Sequence, residues 1–388
     1  MSEIKVNSIK GVGASAAAIT VNNTDGTCTA NITNNLSNRN LIINGAMQVA
    51  QRATTSTGSG YETVDRFSNE YQGADEAPEQ SQGTVASGTT PYTLGFRKTI
   101  KITNGNQTSG AGTTDLAVVK QIIEAQNIAK SGWNYLSGSS FITLSFWVKS
   151  SVAQVFSGNL RTFDGTPYVY KFDTASLSAD TWTKVTKTIP GNSNLNFADD
   201  TGSGLVFHIY PFIGTDYTTS NSDTETWITA SSGNYANDMT STWWTTNDST
   251  FEITGLQLEV GSVATDFEHL SFAQDLQLCK RYYLLWVNGT QEFVCFGDFY
   301  TGTQCDGGVQ LPVEMRATPS IEASTGSNYY IIYTNATQSY IDGSFIIFRA
   351  HKRAVLWYAV ADTARTAGHA NRWVTANSNA KIAFTAEL

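Results

Sequence analysis

The 388-residue chain carries 24 Lys+Arg against 33 Asp+Glu, a formal net charge of −9, and 15% charged residues, where an ordinary soluble domain holds about 25%. With 32 Gly, 7 Pro and 12% aromatic residues, it lacks the Ala, Glu, Lys, Leu and Arg of a coiled coil or helix-rich enzyme. Its 40% hydrophobic content excludes a disordered chain, the acidic balance excludes a nucleic-acid partner, and an all-β protein remains.

In residues 1–40, the short β-type runs IKVNSI and AAAITV are separated by GVGASA and followed by an Asp-Gly turn in NNTDGTC. The apolar positions are too few for a core, so this piece needs partners and is read as an attachment or trimerisation segment. Its opening lacks the apolar stretch of a secretory signal, which places synthesis in a cytoplasm. No apolar run approaches the roughly 20 residues of a membrane span, so no membrane insertion is expected.

From Asn40 the texture changes. NLIINGAM and YETVDRF read as strands, residues 73–91 as a polar loop, and FRKTIKI as a half-exposed strand. TDLAVVKQIIEAQNIAK reads as the helix of this half, with Leu116, Val119, Ile122, Ile123 and Ile128 near helical spacing and Asp115 near the N-cap. FITLSFWVKSS carries bulk on both faces and reads as a central sandwich strand. VYKFDT, TWTKVTKTI, GLVFHIYPFIG and FEITGLQLEV continue as strands, interrupted by a long polar insertion over residues 215–250. This spacing predicts a β-sandwich or jelly roll. After Glu268, FAQDLQLCKRYYLLW has helical spacing. A second β region follows in EFVCFGDFY, GVQLPVEM, NYYIIYTN, SFIIFRA, AVLWYAVAD and KIAFTAEL. The expected division is 1–40, 41–270 and 271–388.

Cys28, Cys279, Cys295 and Cys305 include no C-x-x-C pair and no His at zinc spacing. They are read as structural thiols, with a Cys295–Cys305 bridge across one hairpin as the alternative. No G-x-S-x-G, H-E-x-x-H or P-loop is present. Asp199 with Asp200, or Asp223 with Glu225, are the candidate loop carboxylates for a glycosidase pair. Exposed loop carboxylates are ordinarily only solvated, so no catalytic residue is assigned. His208, inside LVFHIYPF, is read as packed or hydrogen-bonded in its sheet. Arg349, His351, Lys352 and Arg353 are read as a solvated basic rim.

The insertion supplies the richest sugar-binding set: Trp227, Tyr235, Trp243 and Trp244 with Asn234, Asn237 and Asp238. An aromatic face stacks on a pyranose while amides and carboxylates bond its hydroxyls. The alternative is that these rings pack beneath their own loop or against another subunit. Trp147, Trp182 and Trp357 lie in strand patterns and are assigned to the core.

Several segments occur together in a telling order: NLIINGAMQVAQR, TVDRF, QIIEAQNIA leading into SFWVKSS, FEITGLQLEVGSVATDFEH, LCKRYY and LPVEMRATPS. The set resembles bacteriophage tail-fibre and related virion proteins with a carbohydrate-binding-module-like jelly roll, over residues 40–320. NNTDGTCTANI resembles, more loosely, the leaders that attach such proteins to the virion. The resemblance implies a homotrimeric virion appendage, joined to other tail proteins through residues 1–40 and adhering to a host surface glycan or receptor. It also implies a structural calcium, for which Asp65, Asp266 and Glu268 are candidates if the ends of the jelly roll meet. The alternatives are a polysaccharide-depolymerising tail spike and a purely architectural tail or head-decoration protein. Residues 325–388 match no such motif.

Overall fold

The computed structural model describes residues 6–10, 19–21, 28–30, 39–219 and 223–388. Ser8–Ile9, Ile19–Val21 and Cys28–Ala30 pair as a three-stranded antiparallel sheet. Residues 1–5, 11–18, 22–27 and 31–38 of the expected attachment segment, residues 1–40, lie outside the described residues.

Two six-stranded antiparallel sheets follow and form the expected β-sandwich of jelly-roll type. The first runs Trp227–Thr229, Tyr168–Asp173, Ser157–Thr162, Ser203–Ile213, Leu116–Glu124, Ser68–Gln72. The second runs Thr183–Pro190, Phe141–Ser150, Thr250–Val260, Lys98–Thr103, Glu79–Thr84, Thr55–Ser56. Alternate residues of facing strands make the core: Leu205, Phe207 and Ile209 from one sheet meet Leu144, Phe146 and Val148 from the other. The Phe146 and Phe207 ring centroids lie 5.9 Å apart. Near the middle of Thr250–Val260, Gly255 takes φ +63° where the register with Phe141–Ser150 shifts, a bulge that a side chain would strain.

Three local expectations are corrected. Leu116–Glu124 is a strand and the helix is confined to Ala125–Ala129. Val118, Val119, Ile122 and Ile123 are β-branched, and pairing with Ser68–Gln72 and Ser203–Ile213 on either side outweighs their helical spacing. NLIINGAM and YETVDRF form turns, with Asn44, Met47 and Arg66 at positive φ. The Asn44 amide holds the two together by donating to the Val49 and Asp65 carbonyls at 2.9 and 3.0 Å. Glu79–Thr84, within the expected polar loop, is a strand because it completes the ladder of Lys98–Thr103.

The helix Phe272–Lys280 starts at a Ser271/Gln274 capping box. It leads to a three-stranded sheet ordered Tyr283–Asn288, Lys381–Thr385, Ser320–Ala323. A seven-stranded sheet is ordered Thr337–Ile341, Tyr330–Thr334, Ala370–Thr375, Phe293–Phe299, Gln304–Gln310, Ala354–Val360, Ile346–His351. Trp357 and Trp373 cross edge to face at 6.1 Å in this second core. Cys279, Cys295 and Cys305 are buried and unbridged, so the hairpin disulfide is not formed. Burial pushes the Cys295 and Cys305 thiols up to about 12.

A polar seam joins the two cores. Arg281 grips Glu124 through Nε and Nη2 at 2.7 and 2.8 Å, and the Tyr282 hydroxyl donates to the same carboxylate at 2.5 Å. Burial works to raise the Glu124 pKa, but Arg281 and Tyr282 together hold it below the usual carboxylate value. Arg66, fully buried, pairs with Glu387 and lies 3.5 Å over the Tyr282 ring. Arg52 reaches Glu387 at 3.2 Å, and Arg316 donates to the carbonyls of Thr201, Ala386 and Glu387.

Candidate functional site

The insertion crosses the outer face of the first sheet and does not hang free. Thr218–Thr219 pairs in parallel with Ala236–Asn237. This places Tyr217 and Tyr235 side by side, 6.5 Å apart and 12° from parallel. Below them the outward positions of the strands line up in register. Ser68, Lys120, His208, Asn159 and Lys171 form one row across five strands, with Tyr210 and Arg161 two residues along their own strands. A groove of about 170 Å³ results, lined by Glu70, Lys120, Arg161, His208, Tyr210, Tyr217 and Tyr235 among others.

Its polar groups are set by one residue. Asn159 donates through Nδ2 to the Tyr210 hydroxyl at 3.1 Å and to the Tyr235 carbonyl at 2.8 Å, so its Oδ1 is the acceptor facing His208 Nδ1 at 2.8 Å. That network assigns the proton to Nδ1 and leaves Nε2 as an acceptor. Desolvation, reinforced by the Lys120 and Arg161 charges, lowers the His208 pKa to about 3, so the ring stays neutral. Lys120 pairs with Glu70 at 2.7 Å. Arg161 lies 4.8 Å from both the Phe163 and Tyr235 ring centroids. The groove therefore offers flat aromatic surface, a tyrosine hydroxyl, an imidazole acceptor and cationic donors, the complement needed to hold a polyhydroxylated ring.

Of the sequence-derived sugar-binding set, only Tyr235 lines this groove. Trp243 and Trp244 are each 0% exposed, and Trp227 is 7% exposed. They pack beneath their own loop and present no face to a ligand. The Trp227 indole donates to the Pro190 carbonyl at 2.8 Å, and the Trp244 indole to the Gly110 carbonyl at 3.0 Å. Asn104 ties down the Trp243 and Trp244 carbonyls at 3.2 and 2.6 Å. Asn237 is buried and donates to Asp173 at 2.9 Å, while exposed Asp238 accepts from Thr218; both fasten the loop. Trp357 is buried as expected, but Trp147 and Trp182 are partly exposed. Trp182 precedes its strand and has the Lys149 ammonium 5.2 Å from its ring.

The calcium candidates do not converge. Asp65 accepts from the Gln51 backbone and side chain. Glu268 accepts from the Arg39 and Asn40 backbone N–H groups at 2.9 Å, and the Arg39 guanidinium meets the Asp266 carbonyl and Glu259. Among the described residues no group of three His, Cys, Asp or Glu is placed to hold a metal ion. A larger cavity of about 710 Å³ opens beside Arg39–Ile43 and Leu270–Leu278, but the Arg39 and Glu268 groups on its wall are turned onto the chain itself. The loop carboxylates are engaged separately: Asp199 with Lys130 at 2.5 Å, Glu225 with Lys187 at 2.6 Å, Asp200 with the Gly202 N–H at 2.8 Å. No helix among the described residues is long and apolar enough to cross a membrane.

The outer face of the seven-stranded sheet is a second distinct surface. Phe296 is 73%, Tyr300 69% and Val360 62% exposed. Arg372 stands in register between Tyr333 and Phe296, and Asp298 stands directly opposite Asp306.

No family model and no curated protein matches the chain. Among solved structures it is similar to the enzymatically active domain of tailspike protein 4 of bacteriophage CBA120, at 10% identity and TM-score 0.30, over 57% of this chain and 21% of that one. It is also similar to a putative sugar binding protein from Bacteroides thetaiotaomicron, at 12% identity and TM-score 0.29, over 57% of this chain and 100% of that one. A family 11 carbohydrate-binding module from Clostridium thermocellum aligns at 12% identity and TM-score 0.24, over 55% and 96%. Likenesses this distant assign no function; the fold rests on its own strands and the site on its own geometry.

Proposed function

We propose that the chain is an adhesive subunit of a phage virion appendage that binds host-surface glycan through the outer sheet groove. The groove carries the reading: two near-parallel tyrosines above a neutral imidazole and a tyrosine hydroxyl, on a rigid six-stranded sheet. The ordered motifs of residues 40–320 supply the virion part, with residues 1–40 joining other tail proteins. The action is binding without cleavage, a reading supported by Asp199 and Glu225 being ion-paired to different lysines. The trimer is what the motif resemblance implies, and the open seven-stranded face supports a contact between copies. There Arg372, Phe296, Leu356 and Arg349 share the row beside the Asp298–Asp306 pair, so both charge signs stand on the apolar face that a second copy would cover. Three weak sites on one appendage then act together, multiplying avidity by roughly 10²–10⁴.

The test is a screen of purified chain against immobilised neutral and acidic saccharides, followed by titration of any binder. Binding that falls about tenfold in Tyr235→Ala, with the thermal midpoint unchanged, supports the reading. Unchanged binding in that variant overturns the groove as the site and puts the glycan elsewhere on the chain, and no binder at all overturns adhesion in favour of a purely architectural role.

A further inference from the structure

Resting on the groove reading, we infer that the sugar it selects is acidic, with Arg161 as the anchor for a carboxylate-bearing residue such as a uronate or a sialate. Arg161 differs from the other cation at the site. Lys120 spends its charge on Glu70 at 2.7 Å. The Arg161 guanidinium makes no ion pair among the described residues, and its Nε is buried without a hydrogen-bond partner. Its neighbours include two rings, with the centroids of Phe163 and Tyr235 each 4.8 Å from the guanidinium carbon. Ring faces hold a guanidinium in plane without using its N–H donors, so its fork stays available to a planar acceptor.

The rest of the groove favours an anion over a cation. Burial first, and then the Lys120 and Arg161 charges, keep His208 neutral, so the imidazole adds no charge of its own and Arg161 is the cation at the groove without an ion-pair partner among the described residues. Glu70, the acidic residue lining the groove, is neutralised by Lys120. A pyranose seated against the paired tyrosines would place an equatorial carboxylate toward the Arg161 fork and a ring hydroxyl toward His208 Nε2. A guanidinium can form two parallel charge-assisted hydrogen bonds to such a carboxylate.

The experiment titrates full-length protein at about 150 mM salt, a concentration that screens non-specific attraction. Glucuronic, galacturonic and N-acetylneuraminic acids are each compared with their methyl esters, and the tyrosine ring signals of Tyr217 and Tyr235 are followed by NMR. At least one acid is expected to bind ten- to a hundredfold more tightly than its ester. Arg161→Gln should erase that preference by weakening the acid ten- to a hundredfold more than its ester, and Arg161→Lys should restore part of it. Equal affinity for every acid and its ester, with Arg161→Gln changing neither, overturns the inference and leaves the groove reading standing. If no sugar, acid or ester, moves the Tyr217 and Tyr235 signals, both fall. Thermal unfolding of the two variants checks that the strand Ser157–Thr162 is intact.

Discussion

The sandwich and the distal β region each turn one broad sheet face outward, and they finish those faces in opposite ways. On the sandwich sheet the outward positions are Lys120, His208, Asn159 and Lys171, each with a hydrogen-bond or charge partner, and an insertion folds over them to add two tyrosines. On the seven-stranded sheet the outward positions include Phe296, Leu356 and Val360, left bare, with two aspartates facing each other. A polar face whose row is pre-bonded can exchange ligand for water at little cost, because those groups are satisfied in either state, with Arg161 Nε the exception. A bare apolar face gains only when it is covered and stays covered. The contrast separates a surface built for reversible contact from one built for lasting contact.

The strongest test of how independent the two regions are is to cut the seam between them. Glu387→Gln leaves the Arg66 guanidinium buried without its carboxylate, at an expected cost of about 3–5 kcal/mol. Calorimetry should then resolve two transitions in the variant, against a single coupled transition expected of the parent. A single transition at the parental midpoint would show that the seam contributes nothing.

Acid separates the seam from the groove within the sandwich, because the two sites meet protons with opposite sign. Desolvation raises Asp65, at the seam, from 3.8 to about 6, against the hydrogen bonds from Gln51. Its protonated form is favoured by the fold, so the associated stability is fully present below about 3.8 and is lost as pH rises through 6. The loss approaches about 3 kcal/mol at neutrality. His208, at the groove, moves the other way, from 6.5 down to about 3. Its contribution is present above 6.5 and falls with acid, by about 2 kcal/mol at pH 5. Chemical denaturation from pH 4 to 8 should lose the first slope in Asp65→Asn and the second in His208→Gln. Parallel profiles for both variants and the parent would reject the assignment. The smallest effect on stability is expected on the distal face. Phe296→Ser should change the unfolding free energy by less than about 0.5 kcal/mol while lowering the sedimenting mass at micromolar concentration. An unchanged mass would remove the face from the subunit contact.

The strand-rich architecture was legible because alternation is a local signal: FITLSFWVKSS and GLVFHIYPFIG occupy Phe141–Ser150 and Ser203–Ile213 as read. The errors came where pairing partners distant in sequence decided the outcome. Nothing within LAVVKQIIE reveals that strands at Ser68 and Ser203 lie on both sides of it. The site was less legible for a related reason. Tryptophan in a polar stretch reads as displayed, yet Trp243 and Trp244 have their polar backbone satisfied by Asn104, more than 130 positions away. The residues that do line the groove left a fainter mark, as polar side chains on alternate positions of otherwise apolar strands: Lys120, Asn159 and Arg161, His208 and Tyr210. Such a mark shows that one face is wet, but only the register shows that these positions form a row.

The seam has a mechanical side as well. Residues 281–283 carry the covalent path out of the sandwich, and Thr385 pairs with Tyr283 beside it, so Ala386 and Glu387 return to the sandwich where the chain left it. A lone covalent linker would let the distal region swivel. Here a second tie, through Arg66 and Arg316, runs alongside the first, and twisting one region against the other must stretch both. A twisting load applied to one region would thus be passed to the other instead of being spent in rotation about a hinge.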